Sequence, residues 1–197
     1  YLFTQFISTM TNQREDEYGG NLENRARFSK EVVQACRAKV PENFILGFRM
    51  SFENMGMETG LDIDENIRIA NWLAEDGIDY LHISHLVYDA PSIKYPEEIA
   101  LRYIRNGINP ELPLVCAGSI DNVEAAEKAL EYGADIVAIG RAAIGNSHIP
   151  EMFEKGTPLT FKTPFSESEL VKRGISPEFL SYIKNAPPLK SLKIIQQ

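Results

Sequence analysis

The chain has 197 residues, 44% of them hydrophobic and 24% charged, a balance typical of a globular protein with a sizeable core. Its net charge of −8 argues against nucleic acid as a partner, and no apolar run approaches the roughly 18–20 residues that a membrane-spanning helix needs. The two cysteines, Cys36 and Cys116, are too few for a thiolate-held metal or iron–sulfur site. We therefore predict no metal, no membrane span and, because no signal peptide is recognisable, a cytoplasmic location.

Helical and extended patterns alternate along the chain. Residues 3–20 are rich in Thr, Asn, Asp and Gly, which predicts a loop, and residues 21–40 predict a helix capped by Asn21. Short apolar runs predict strands over 44–51, 79–84, 114–119 and 136–141, with helices over 64–76, 96–106 and 121–133. A short helix over 149–155, a capping box from Ser166 to Glu169 and a last helix starting at Ser176 follow.

Strands that alternate with helices indicate parallel pairing through right-handed crossovers. Four such βα units form either an open sheet or half of a closed barrel, and four parallel strands alone would leave unpaired edges. The chain also begins at Tyr1 without a methionine. We therefore expect residues 1–197 to be the C-terminal part of a single domain whose N-terminal part is missing.

The last two predicted strands each end on a glycine followed by a polar or cationic residue. Gly118 precedes Ser119 after one strand, and Gly140 precedes Arg141 after the next. Glycine lets backbone N–H groups approach an anion closely, and an arginine adds a forked cation. In (β/α)8 barrels the loops after strands seven and eight commonly hold a phosphate. The two strand ends therefore predict a phosphate site, although each glycine on its own could simply form a turn.

Three motifs resemble the Old Yellow Enzyme family, whose members are FMN-dependent NAD(P)H oxidoreductases. The longest, at 12–28, reads NQREDEYGGNLENRARF and is similar to the family's Asn-x-Arg-x-Asp-x-Tyr-Gly-Gly-x-x-Glu-Asn-Arg-x-Arg-Phe signature. Residues 1–8 (YLFTQFIS) resemble the end of the family's fourth strand, and residues 47–51 (GFRMS) resemble its fifth. The resemblance implies a TIM (β/α)8 barrel, here with about its last four βα units and C-terminal helices.

The resemblance also implies roles for individual residues. Tyr1 would be the proton donor to the substrate, and Arg49 would lie at the pyrimidine edge of the flavin, unless it only forms a strand-end salt bridge. The FMN phosphate would be bound by Gly118, Ser119, Gly140 and Arg141. The family's His-x-x-His/Asn pair, which binds flavin and substrate, would lie upstream of Tyr1.

Two further groups of residues have less specific expectations. His82 and His85 flank the end of the strand predicted over 79–84, where either a substrate contact or an ordinary hydrogen bond is expected. The Glu23, Asn24, Arg25 and Arg27 cluster belongs to the signature, but we expect its role to be structural, through charge pairs at the helix start.

By this resemblance, NADH or NADPH would reduce FMN, and the flavin would reduce a small-molecule acceptor such as an activated alkene or a quinone. The alternative is a catalytically inactive half-barrel that keeps only a phosphate- or FMN-binding face. Such a chain would form a homo-oligomer or pair with the missing half to cover its edges. Another phosphate-binding barrel, an isomerase or aldolase, would share the Gly118 and Gly140 loops but would not explain residues 18–28.

Overall fold

Four parallel strands lie in the same order in the sheet as in the chain. In the computed structural model, which describes residues 2–54, 59–84, 87–146, 148–156, 165–185 and 194–195, the sheet order is β1-β2-β3-β4. The strands are β1 (Gly47–Met50), β2 (Tyr80–Ser84), β3 (Leu114–Ala117) and β4 (Ile136–Ala138). All three strand pairs are parallel, which confirms the predicted pairing.

Helices precede and connect these strands, and all of them except the first were predicted from the sequence pattern. They are α1 (Leu2–Ile7), α2 (Leu22–Arg37), α3 (Ile63–Glu75), α4 (Ala100–Gly107) and α5 (Val123–Glu131). Short polar side chains fix three of the starts by accepting backbone N–H groups. Asn21 caps α2, Asp62 caps α3, and Asn122 Oδ1 accepts the N–H of Ala125 at 2.8 Å in α5.

The helix α1 lies where the sequence predicts a loop over residues 3–20, so that prediction is wrong for its first residues. Phe3 and Phe6 are three positions apart, so they share one face of α1. Their rings lie 5.6 and 4.4 Å from that of Phe28 on α2, and Phe3 also lies 4.8 Å from Phe48 on β1. Packing of these half-buried rings against one another explains the helix.

Several predicted boundaries were also wrong. The helix predicted over 96–106 begins at Ala100, because a turn at residues 96–98 precedes it. The strand predicted over 136–141 ends at Ala138, and Arg141 is the first residue of a helix, α6 (Arg141–Gly145). The strand and the following helix are both apolar, so composition did not mark the boundary between them.

The sheet has one buried face and one partly open face. Phe48, Met50, Leu81, Ile83 and Cys116 alternate along the strands and are at most 5% exposed. The helices supply the matching buried side chains, Ile63, Ile67, Leu73, Leu101 and Ile104. Arg49, His82 and Ser84 alternate with these residues, lie on the other face and are exposed or half-buried, whereas Val115 on that face of β3 is buried.

The chain divides into two compact units. One contains Tyr1–Gly118 and Lys128–Ala138, and the other contains Ser119–Glu127 and Ile139–Gln197. The second holds α6, α7 (Ile149–Glu154), α8 (Glu167–Lys172), α9 (Pro177–Asn185) and the paired short strands β5 (Phe165–Ser166) and β6 (Ile194–Ile195). The assignment of residues 1–197 to a single domain stays a prediction.

The core of the second unit is a small apolar cluster under α8 and α9. Phe165, Leu170, Leu180 and Ile183 are each at most 7% exposed. The predicted capping box is confirmed, since the Ser166 hydroxyl accepts the N–H of Glu169 and the Glu169 carboxylate accepts the N–H of Ser166. In the described ranges no helix has the length and apolar character needed to cross a bilayer.

Candidate functional site

Arg49 points from the open face of β1 toward two side chains of the neighbouring strand. The parallel register places Arg49 opposite His82 of β2. Its Nη1 atom lies 2.9 Å from His82 Nε2, and its Nη2 atom donates to Ser84 Oγ at 2.8 Å. Among the described residues the structure gives Arg49 two partners, both neutral side chains, whereas the alternative expectation was a strand-end salt bridge.

The environment of His82 favours its uncharged form. Burial lowers the pKa of His82 below its ordinary value of 6.5, and the neighbouring Arg49 cation lowers it further. His82 was expected to make either a substrate contact or an ordinary hydrogen bond, and the structure shows the bond to Arg49. Ser84 was missed by sequence analysis, although aligning the two predicted strands in parallel would have brought it near Arg49.

Gly118 directly follows β3 and is hydrogen-bonded to the loop after β2. It is buried, and its carbonyl oxygen accepts the backbone N–H of Tyr88 at 2.9 Å. With the carbonyl fixed in this way, the direction of the next peptide N–H, that of Ser119, is fixed as well. A defined backbone donor at this point is what an anion site requires.

Ser119 and Arg141, in the second unit, form a polar pair. Arg141 Nη2 donates to Ser119 Oγ at 3.0 Å, and both residues are exposed. Ser119 has a φ of 51°, and in the described part of the chain it is the one residue other than glycine with a positive φ. A left-handed residue of this kind is strained and is typical of functional loops.

Gly140 precedes Arg141 and leaves room for a ligand. A Cβ atom built on Gly140 would have no atom within 4 Å, so the glycine is not required by packing against the described residues. Its backbone, with φ of −97° and ψ of −91°, turns the chain from β4 into α6. The structure thus brings together Ser119 and Arg141 of the predicted phosphate site, with Gly140 adjacent in sequence.

Two of the residues singled out from the sequence, Tyr1 and His85, lie outside the described residues. The proton-donor role of Tyr1 therefore stays a prediction.

The signature segment has the structural role that was expected of it. Arg25 is 3% exposed and donates to the carbonyl oxygen of Ile7 and, at 3.1 Å, to that of Gly20. Its Nη2 atom donates to both carboxylate oxygens of Glu65 at 2.8 Å. One guanidinium thus joins α1, the turn before α2, and α3. Contacts of this kind hold the first helices in place and are not directed at a ligand.

Comparisons with known proteins agree with these motifs. The model of the NADH:flavin oxidoreductase / NADH oxidase family matches residues 1–160, a range that contains every site residue named above. The chain is 37% identical to the NADH:fumarate oxidoreductase of Klebsiella pneumoniae over 153 residues, which are 73% of this chain and 16% of that protein.

Two solved structures show the same relationship. Morphinone reductase in complex with tetrahydroNAD aligns with a TM-score of 0.67 and 31% identity, over 85% of this chain and 43% of that one. The Old Yellow Enzyme homologue from Zymomonas mobilis aligns with a TM-score of 0.66 and 32% identity, over 81% of this chain and 45% of that one. The predicted α/β barrel, represented here by part of its strands and helices, is confirmed by these neighbours.

The chain spans less than half the length of the relatives and structures just described. The family match nevertheless covers most of the chain, and the family's cofactor is FMN. The chain therefore belongs to the NADH:flavin oxidoreductase / NADH oxidase family, as its resemblance to the Old Yellow Enzymes predicted.

Proposed function

We propose that this chain supplies flavin contacts of an FMN-dependent, NAD(P)H-consuming oxidoreductase of the ene-reductase type. The observation that carries the proposal is the family match over residues 1–160, which includes Arg49 and both glycine-marked strand ends. In this proposal Arg49 contacts the pyrimidine ring of FMN. The phosphate of FMN is bound by Gly118, Ser119, Gly140 and Arg141.

The chemistry of Ser119 and Arg141 fits a phosphate. The guanidinium offers a fork of N–H donors, and the serine hydroxyl is both donor and acceptor. Both side chains are exposed and already lie within hydrogen-bond distance of each other. A phosphate dianion beside the pair can accept from both groups, and no described atom lies within 4 Å of a Cβ built on Gly140.

Arg49 fits the polar edge of a flavin. A guanidinium has five N–H groups, and among the described residues the structure gives two partners for them, His82 and Ser84. Three N–H groups remain to donate to the carbonyl and ring-nitrogen acceptors of a pyrimidine. A permanent cation at this edge favours negative charge there, which is how a protein tunes a flavin.

When bound, FMN supplies a two-electron carrier that accepts hydride from NADH or NADPH and passes it to an acceptor. The proposed acceptor is a small molecule with an activated alkene, or a quinone. In the alkene case Tyr1 donates its phenolic proton to the carbon alpha to the activating group. We also propose a cytoplasmic location, which is compatible with the free thiols of Cys36 and Cys116.

The test compares FMN with riboflavin, which lacks the phosphate, on the wild-type chain and on Arg141→Gln. Removing a charge-assisted hydrogen bond costs about 1.5–3 kcal/mol, so FMN affinity should fall about 10- to 100-fold while riboflavin affinity is unchanged. Flavin fluorescence and absorbance give both dissociation constants.

Arg102→Gln is the matched control. Arg102 is an exposed arginine on α4 that lies over the ring of Tyr132, and it has no role in the proposed site. Equal losses for FMN and riboflavin in Arg141→Gln, or no loss for either, would contradict the phosphate assignment. Tight FMN binding without NADH-dependent reduction would favour the alternative, a half-barrel with a binding face alone.

A further inference from the structure

The bond between Arg49 and His82 fixes the protonation of the imidazole. Arginine stays protonated in proteins, so Arg49 Nη1 is the donor across the 2.9 Å separation and His82 Nε2 is the acceptor. A neutral imidazole has one N–H and one acceptor nitrogen, so His82 carries its proton on Nδ1. A protonated His82 would present an N–H to an N–H, and the pair would repel.

The groups around His82 reinforce this arrangement. On β1 the neighbour is Arg49, and on β3 the register partner is the apolar Val115. On β2 the same face carries Ser84, which accepts from Arg49, and Tyr80, whose ring lies over Gly47. Burial is the larger cause of the lowered pKa of His82. Among the charged groups in the described part of the chain, Arg49 is the one that lowers this pKa further.

We propose that His82 is a positioning residue for Arg49, acting as the neutral Nδ1–H tautomer whose Nε2 atom holds the guanidinium in one orientation on the open face of the sheet. Ser84 holds the second Nη nitrogen. With both Nη nitrogens held, the guanidinium is less free to rotate, so its remaining donors point in set directions before any ligand arrives. The consequence for flavin binding rests on the function proposed above, whereas the Arg49–His82 pairing does not.

The pairing is tested on the chain without flavin, by ¹⁵N NMR of its three histidine rings. The wild type should show His82 as one tautomer, with Nδ1 protonated and Nε2 not. In Arg49→Met, which keeps the length and removes the donor, His82 should become a mixture of tautomers with a higher pKa. His148→Gln, a change at an exposed residue of the second unit, should alter neither property. A proton on Nε2, or a His82 signal identical in the wild type and Arg49→Met, would overturn the proposal.

The consequence for binding is tested with FMN and two substitutions. His82→Leu removes the acceptor and should weaken FMN binding about tenfold, as the loss of one hydrogen bond to a charged group predicts. His82→Gln keeps an acceptor near the Nε2 position and should restore affinity to about twofold of the wild type. Unchanged affinity in His82→Leu, or no rescue by His82→Gln, would refute the positioning role. If the wild-type chain fails to bind FMN, the residues upstream of Tyr1 are required for binding, and the NMR comparison still decides the pairing.

Discussion

Replacing Arg25 with methionine should destabilise the first unit far more than the loss of an ordinary surface ion pair. The Arg25 side chain is 4% exposed, and it donates to two backbone carbonyls and to both oxygens of Glu65. Methionine fills similar space but leaves these acceptors without their donor. Removing one partner of a buried ion pair costs about 3–5 kcal/mol.

The expected value lies at the lower end of that range, about 3 kcal/mol. The carboxylate of Glu65 is 33% exposed, so water can replace part of the lost interaction. The carbonyl oxygens of Ile7 and Gly20 also lose a donor, which lowers the free energy of unfolding by a smaller amount. Arg25→Lys keeps the charge but not the fork, and it should lie between the wild type and Arg25→Met.

The assay is urea unfolding followed by the fluorescence of Trp72, the only tryptophan, which lies on α3 in the same unit. Glu23→Gln is the matched control, because the side chains of the Arg68–Glu23 pair are 57% and 59% exposed and such pairs contribute about 0–1 kcal/mol. An Arg25→Met chain within about 1 kcal/mol of the wild type, or no less stable than Glu23→Gln, would refute the reasoning.

Three other predictions follow from local contacts. A Cβ atom at Gly47 would lie 2.0 Å from the ring of Tyr80, so Gly47→Ala should lower the free energy of unfolding by about 1–3 kcal/mol. In a Tyr80→Ala background urea unfolding should show no such loss. Burial raises the pKa of the Cys116 thiol to about 12, whereas Cys36 is exposed. A disulfide reagent should therefore modify one thiol in the native chain and two in denaturant. Rapid reaction of both thiols in the native chain would contradict this prediction. A backbone N–H and an arginine hold the pKa of Asp79 below its ordinary 3.8, so its stabilisation is complete above that value and is lost as the pH falls through the lower, folded-state value. Asp79→Asn should therefore lose less stability than the wild type between about pH 6 and about pH 3, as measured by urea unfolding, and an equal loss would contradict the assignment.

The order of strands and helices could be predicted because each segment has a strong local signal. The run at 114–117 is apolar on both faces, and Asn21 is a capping residue directly before an amphipathic stretch. The ends of these segments were harder to predict. In the sequence IVAIGRAAIG apolar residues continue on both sides of Gly140, so the predicted strand runs to Arg141, whereas the structure ends it at Ala138 and begins α6 at Arg141.

The site could be predicted only in part, for a physical reason. Gly118 and Gly140 are visible in the sequence because a glycine at the end of an apolar run interrupts the strand pattern at a recognisable point. The bond from Arg49 to His82 depends on the register between two strands separated by a helix, and register is set by packing of the whole sheet. The helix α1 could not be predicted for a similar reason, because its aromatic rings pack against the rings of Phe28 and Phe48, which are distant in sequence.

A titration of the wild-type chain with FMN tests the central claim most directly. Saturable binding of one FMN per chain, with a shifted visible spectrum and altered fluorescence of the flavin, is the predicted result. It would mean that this chain's own residues are enough to bind the cofactor. Flavin that keeps the spectrum and fluorescence of free FMN at every protein concentration would contradict the claim that this chain's own residues suffice to bind the cofactor.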